Sequence, residues 1–198
     1  MSVVVAIKKN DRIYMAADTL ASFGEVKKNC LSDEGRKIQL LDNGILIGTA
    51  GSVYGIQRVL AHTELFIVPE EGIFDKKYVV QNIIPKLFKF YKEQSMLEKN
   101  KDQPDTLPDS YLVAYQDKLF KISGAFDVVT IEHYAAIGSG GNVALAGLIK
   151  LDEERIDDDQ TINDRLIDIL RTSESRIRSV GAPFYLIDTS SKTFKLIK

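Results

Sequence analysis

The chain of 198 residues contains no tryptophan, one cysteine (Cys30) and only two histidines. A single cysteine excludes an intrachain disulfide, which suits a cytoplasmic protein, so a cytoplasmic location is expected. So few Cys and His residues argue against the usual zinc site, and no metal site is expected. Acidic and basic residues nearly balance at a net charge of −2, so neither nucleic acid nor an anionic membrane is expected as a partner.

Long apolar runs are also absent. No run approaches the length of a membrane span, and the apolar stretch at 3–7 is too short for a signal peptide and is followed by lysines. Hydrophobic residues nevertheless make up 44% of the chain, enough for a sizeable core. We therefore predict one globular domain over residues 1–198.

Strand-like segments and helical segments follow one another in blocks. Turn residues and apolar patterns predict strands at 2–9, 12–18, 38–41, 44–50, 111–115, 119–123, within 127–137, and at 183–188 and 193–197. Helices are predicted from residue 53 to about 66, over 76–97 with a kink at Pro85, over 142–150, and from a cap at Thr161 to about 180. Hairpins separated by pairs of helices favour two sheets packed face to face with helices outside.

Ser2 is the first residue that suggests chemistry. Removal of Met1 would leave a hydroxyl and a free α-amine on one residue, and the amine could take the proton of the hydroxyl. An α-amine has a pKa near ~8, which a nearby lysine would lower by charge repulsion. The plain alternative is that Ser2 is an ordinary second residue, because many proteins begin with Met-Ser.

Further motifs resemble one known family over nearly the whole chain. They occur in the family order and are Ala16-Ala17-Asp18, Gly35-Arg36-Lys37-Ile38, Gly48-Thr49-Ala50-Gly51, Ile137-Gly138-Ser139-Gly140-Gly141 and Ser179-Val180-Gly181-Ala182. Together they resemble proteasome β-subunits and the peptidase ring of the bacterial HslUV protease. The resemblance implies an α+β fold, a four-layer αββα sandwich of the N-terminal-nucleophile hydrolase type.

The resemblance also implies roles for the nucleophile and for two residues beside it. Ser2 would attack through its hydroxyl, where the family more often has threonine. Lys37 would stabilise the alkoxide, and Asp18 would orient Lys37 and the amine. The structural alternatives are an ordinary solvated lysine at a strand start and a turn residue at a strand end. A two-residue turn at Asn10-Asp11 would pair Asp18 with residue 3 and a three-residue turn would pair it with residue 4, and the sequence leaves both open.

Five more positions receive roles by resemblance, four of them with a structural alternative. Gly51 would donate its N–H to the oxyanion, or simply be the glycine at a helix entry. Ser139 and Ser179 would support the nucleophile, or serve as a helix cap and a helix end. Ser22 and Thr49 would contact the substrate, although Ser22 is equally consistent with an ordinary polar loop residue.

Two features depart from the family pattern. Arg176 stands where the family usually has an aspartate, and arginine cannot accept a hydrogen bond, so the acid would have to come from Glu174 or elsewhere. Only Met1 precedes Ser2, which resembles the HslUV peptidase more than β-subunits with propeptides.

The resemblance implies a peptidase that hydrolyses peptides or unfolded proteins inside a homo-oligomeric ring, without a cofactor. A separate ATPase unfoldase is implied as partner, because this chain has no phosphate-binding Gly-x-x-x-x-Gly-Lys-Ser/Thr loop. The alternatives are an inactive ring or scaffold subunit, favoured by Arg176, and an amidase of the same fold that acts on small amides.

Overall fold

The strands form two large antiparallel sheets and one small pair. The computed structural model describes residues 2–23, 26–31, 36–99, 101–156 and 158–198, with the backbone alone at 22, 23, 26 and 27. The strands are β1 (Val4–Lys9), β2 (Arg12–Asp18), β3 (Leu20–Phe23), β4 (Val26–Asn29), β5 (Ile38–Leu40), β6 (Leu46–Ala50), β7 (Leu107–Tyr115), β8 (Lys118–Gly124), β9 (Asp127–Thr130), β10 (Tyr134–Ile137), β11 (Phe184–Asp188) and β12 (Lys195–Ile197). One sheet has the order β10-β1-β2-β11-β12 and the other β5-β6-β7-β8-β9, while β3 pairs with β4.

Helices cover the outer face of each large sheet. They are α1 (Val53–Leu60), α2 (Lys76–Tyr78), α3 (Ile84–Glu93), α4 (Gly141–Glu153) and α5 (Asp159–Arg176). Apolar side chains of α4 and α5 pack on the first sheet, and those of α1 and α3 pack on the second. A third cluster lies between the two sheets. The predicted four-layer αββα sandwich is confirmed.

The first hairpin sets the position of the chain's beginning. Asn10 and Asp11 form a two-residue turn with φ values of 52° and 57°, the left-handed conformation that such turns require. Val4 pairs with Ala17, so Asp18 stands opposite Val3, the first of the two predicted registers. Alternate residues of β1 face the second sheet and the helices, which explains why the strand is apolar on both sides.

The structure differs from the predicted elements mainly at their ends. Strands β3 and β4 were not predicted, because they are short and pair only with each other. The first helix ends at Leu60, and a short 3₁₀ turn follows at Thr63–Leu65. The cap of α5 is Asp158, whose carboxylate accepts the N–H of Thr161, so the predicted cap at Thr161 is wrong.

The irregularity predicted at Pro85 takes the form of a widened helical turn. A π-helical turn at Val79–Ile83 joins α2 to α3, and Pro85 lies in the first turn of α3. Proline has no N–H to donate within a helix, so it is best tolerated at such a start. Within the described ranges, none of the helices has the length and apolar character that crossing a bilayer demands.

Candidate active site

A buried ion pair lies where the two large sheets meet near Ser2. Asp18 ends β2 and Lys37 directly precedes β5, and Oδ1 of Asp18 lies 2.6 Å from Nζ of Lys37. The same Oδ1 accepts the N–H of Val3 at 2.9 Å, and Oδ2 accepts the N–H of Gly181 at 3.3 Å. Three donors therefore satisfy a carboxylate whose residue is only 1% exposed.

Lys37 is held at both its side chain and its backbone. Nζ also donates to the carbonyl of Leu20 at 2.7 Å, which fixes the ammonium between two acceptors. Burial lowers the pKa of Lys37, while the carboxylate of Asp18 opposes that shift. Burial likewise raises the pKa of Asp18, opposed by the Lys37 charge. The ion pair is therefore held in a poorly solvated place, where its electrostatic interactions with neighbouring groups are only weakly screened.

Two glycine- and serine-rich segments fix the carbonyl group of Ser2. Its oxygen accepts the N–H of Gly140 at 3.1 Å and the hydroxyl of Ser139 at 3.4 Å. Gly138 has φ +87°, and a Cβ on it would lie 2.3 Å from that oxygen, so only glycine fits there. Ser139 and Ser179 are in turn hydrogen-bonded through their hydroxyls at 3.1 Å.

Ser2, Lys37 and Gly51 line one cleft. Its other walls come from β3, the segment before β5 and helix α1, and the residues are Leu20, Ala21, Cys30, Arg36, Val53, Ile56 and Gln57. A hydroxyl, a buried cation and a backbone turn at a helix start thus face a shared, mostly apolar space. Such a set can generate a nucleophile and stabilise an oxyanion.

Comparison with known proteins identifies the group to which this arrangement belongs. Residues 2–176 match the family described as proteasome subunit. The chain belongs to the proteasome subunit family. The ATP-dependent protease subunit HslV of Borreliella burgdorferi strain ZS7 is 33% identical over 157 residues, covering 77% of this chain and 78% of that protein. The subunit of the same name from Campylobacter concisus is 30% identical over 167 residues, covering 82% and 85%.

A solved structure shows the same fold. Thiobacillus denitrificans BPH superimposes with a TM-score of 0.74 over 94% of this chain and 96% of that chain, at 19% sequence identity. The family resemblance inferred from the motifs is therefore confirmed. The roles of the individual site residues remain predictions, for which the geometry gives the positions.

Among the predicted site residues whose side chains the structure describes, Thr49 is the one whose position does not fit its predicted role. Its side chain is fully buried, so it cannot contact a substrate, and the prediction of such a contact is corrected here. Its hydroxyl donates to the carbonyl of Lys37 at 3.1 Å, and its N–H donates to the same oxygen at 2.7 Å. Thr49 therefore fixes the backbone that carries Lys37. The side chain of Ser22, like Met1 and Gly35, lies outside the described parts.

Arg176 replaces the family aspartate, but an acidic residue, Glu174, lies in the same helical turn. Arg176 is exposed at the end of α5, and it is Glu174, in the same last turn, that reaches the following segment. Its Oε1 accepts the N–H of Ala182 at 3.0 Å. Glu174 thus anchors the segment that carries Ser179 and Gly181, and it is the acid that the sequence offered as a substitute for the family aspartate.

Sequence reasoning missed the backbone donors of the site. The N–H groups of Val3, Gly140 and Gly181 hold Asp18 and the Ser2 carbonyl, and any residue except proline could supply such a group. The only signal was the density of glycine in the two motifs that contain Gly140 and Gly181. Asp109, which lies behind Gly51, was also missed because it stands alone in a strand.

Proposed function

We propose that the chain is a peptidase subunit that hydrolyses peptide bonds through Ser2 once Met1 has been removed. The observation that carries the proposal is the buried Lys37–Asp18 pair, in which Lys37 lines the same cleft as Ser2. The two relatives above are named as subunits of an ATP-dependent protease, which supports peptide bonds as the substrate. No cofactor is required for this chemistry.

In the proposed reaction the Ser2 hydroxyl attacks the carbonyl carbon of the scissile peptide bond. The free α-amine of Ser2 takes the hydroxyl proton, and the Lys37 ammonium stabilises the negative charge on the attacking oxygen. The N–H of Gly51 donates to the oxyanion of the tetrahedral intermediate. The C–N bond then breaks, the departing amine receives the proton, and an ester remains on Ser2.

Water completes the cycle. The α-amine accepts a proton from a water molecule, whose oxygen attacks the ester carbonyl and forms a second tetrahedral intermediate. Collapse of that intermediate releases the acid product and returns the proton to the Ser2 oxygen. Ser139 and Ser179 keep the Ser2 backbone in place through the Ser2 carbonyl, so that amine and hydroxyl stay oriented.

We further propose that the subunits form a homo-oligomeric ring in the cytoplasm with the cleft facing an inner chamber. A separate ATPase would unfold substrates, which the names of the relatives support. A second candidate is a ring or scaffold subunit without activity. The exposed Arg176 in place of the family aspartate favours it.

The deciding experiment combines intact mass with labelling by an electrophilic peptide. The protein is expressed with normal methionine aminopeptidase, and its mass reports whether Met1 is lost. Loss of Met1, one label per chain mapped to Ser2 and hydrolysis of a fluorogenic peptide are the expected results. Ser2→Ala should abolish both label and hydrolysis, while the exposed Ser190→Ala serves as the matched control. A labelled or active Ser2→Ala protein contradicts the proposal, and retained Met1 without hydrolysis favours the scaffold.

A further inference from the structure

A buried carboxylate that the proposed reaction does not use lies directly behind Gly51. Asp109 is 1% exposed, and its Oδ1 accepts the N–H of Ser52 at 2.6 Å. Its Oδ2 accepts the hydroxyl of Tyr91 at 2.5 Å, and that hydroxyl contacts the hydroxyl of Tyr111. Among the described residues no basic side chain pairs with Asp109, so the carboxyl group depends on these donors alone. Burying an unpaired carboxylate is costly, and a defined role would account for its presence.

The carboxylate of Asp109 occupies space that is free only because residues 51 and 55 are glycines without side chains. A Cβ on Gly51 would lie 2.0 Å from Oδ1, and a Cβ on Gly55 would lie 2.5 Å from Oδ2. Burial raises the pKa of Asp109, while the hydrogen bonds from Tyr91 and Ser52 oppose that shift. The carboxylate is thus seated in a slot between the turn at Gly51 and the first turn of α1.

An irregularity in β7 directs Asp109 to this slot. The pairing of β7 with β8 shifts register between Leu107 and Tyr111, and Asp109 lies within that stretch. Such bulges re-aim a side chain out of the regular ladder. The next residue, Ser110, pairs with Ala50 of β6. Strand β7 therefore holds both neighbours of Gly51, Ala50 through the ladder and Ser52 through Asp109.

We infer that Asp109 is a positioning residue that fixes the direction of the Gly51 N–H toward the oxyanion. The inference rests on the proposed function, in which that N–H is the oxyanion donor. Anchoring both neighbours of Gly51 restricts rotation of its amide, although its φ of +153° belongs to a residue with much conformational freedom. An oxyanion donor works only when it is aligned before the reaction begins.

The test compares Asp109→Ala with Asp109→Asn and with Asp188→Ala in the full-length protein. Asparagine retains an acceptor for the Ser52 N–H, whereas alanine does not. Asp188 is the matched control, because it is also buried and accepts two turn N–H groups, at Ser190 and Ser191. The measurements are kcat and KM on a fluorogenic peptide, and the affinity of a peptide boronic acid that forms a tetrahedral adduct with a serine hydroxyl.

Asp109→Ala should lower kcat about 100-fold, the scale of losing or misplacing one oxyanion donor, with KM nearly unchanged. Boronate affinity should fall in parallel, because the adduct resembles the transition state. Asp109→Asn should retain most of the activity, and Asp188→Ala should keep the wild-type kcat even if its melting temperature falls. Unchanged kcat in Asp109→Ala, an equal loss in Asp188→Ala, or a change confined to KM would each overturn the inference.

A second pair of variants covers failure of Asp109→Ala to fold. Tyr91→Phe removes the donor to Oδ2, and its control Tyr14→Phe removes a comparable hydroxyl bond to Asp159 at a distant position. Only Tyr91→Phe should lower kcat. An unchanged kcat in Tyr91→Phe would contradict the inference. The wild-type protein separates the two proposals: if it neither hydrolyses peptide nor reacts at Ser2, the proposed function fails and the Asp109 role fails with it. An active wild type with unaffected Asp109 and Tyr91 variants overturns the Asp109 role alone.

Discussion

Asp18 connects Lys37 to the start of the chain, because one carboxylate oxygen serves both. Its Oδ1 lies 2.6 Å from Nζ of Lys37 and accepts the N–H of Val3, the residue after Ser2, at 2.9 Å. A movement of the lysine therefore acts on the backbone that carries the proposed nucleophile. Stability and activity are coupled through this oxygen, and suitable substitutions can separate them.

Lys37→Met should abolish hydrolysis and lower the free energy of unfolding by about 3 kcal/mol, because it leaves Asp18 buried without its cation. The double variant Asp18→Asn with Lys37→Met should recover much of that stability, since no unpaired charge remains, but none of the activity. Urea unfolding and peptide hydrolysis measure the two effects. Lys8→Met, which removes a half-exposed pair with Asp117, is the control and should cost less than about 1 kcal/mol. Activity in the double variant would show that Lys37 is dispensable.

Gly51→Ala should lower kcat about 100-fold, because the added Cβ would lie 2.0 Å from Oδ1 of Asp109 and must displace the proposed oxyanion donor. Gly72→Ala is the matched control. Gly72 also has a positive φ, +106°, but a Cβ added to it would have no neighbouring atom within 4 Å. The Gly72→Ala protein should lose about 1 kcal/mol of stability and no activity. Equal kinetic effects of the two substitutions would refute the assignment of Gly51.

Thr49→Val should cost about 1 kcal/mol of stability, because it keeps the shape of the side chain and removes the hydrogen bond to the Lys37 carbonyl. We expect a modest fall in kcat and an unchanged KM, since the side chain lies away from the cleft surface. Steady-state kinetics on one peptide distinguish support of the Lys37 backbone from contact with the substrate. A raised KM with normal kcat would restore the original expectation that Thr49 contacts the substrate.

The fold was predictable from the sequence because its signals are local. The turn at Asn10-Asp11 and the apolar runs around it define the first hairpin without any distant information. Its register was open, since a loop longer by one residue fits the same pattern, and only the pairing of Val4 with Ala17 decides it. The pair β3–β4 gave no usable signal.

The site was predictable only in part, because its contacts join distant segments. Asp18 and Lys37 were brought together by family resemblance, and neither residue alone implies the other. Thr49 was misplaced because the motif gave its position along the chain but not the direction of its side chain. A role for Asp109 could not be predicted from the sequence, because it follows only from the contacts of this carboxylate with Gly51 and Tyr91 in the folded chain.

Ser139→Ala and Ser179→Ala should show non-additive effects on kcat. Ser139 donates to the Ser2 carbonyl, whereas Ser179 contacts the Ser139 hydroxyl. If Ser179 acts through Ser139, Ser179→Ala should have little further effect once Ser139 is alanine. A double-mutant cycle on kcat/KM measures the coupling. Strict additivity would show that the two hydroxyls act independently.

Asp188→Asn should reveal a stabilising contribution that depends on pH. Burial alone would raise the pKa of Asp188, but the hydrogen bonds from Ser191 and Ser190 lower it below its ordinary value. The folded protein then binds fewer protons at this group than the unfolded chain, so the stabilisation is fully present above the unfolded pKa of about 4. It is lost as the pH falls through the lower folded-state pKa.

The wild type should therefore exceed Asp188→Asn in free energy of unfolding by about 1 kcal/mol at neutral pH. The difference should shrink as the pH falls below about 4, because the wild-type carboxyl becomes protonated and resembles the neutral amide. Urea unfolding of both proteins at several pH values between neutral and acidic measures it. A difference that stays constant over this range would mean that the ionised carboxylate of Asp188 contributes nothing beyond the shape of its side chain.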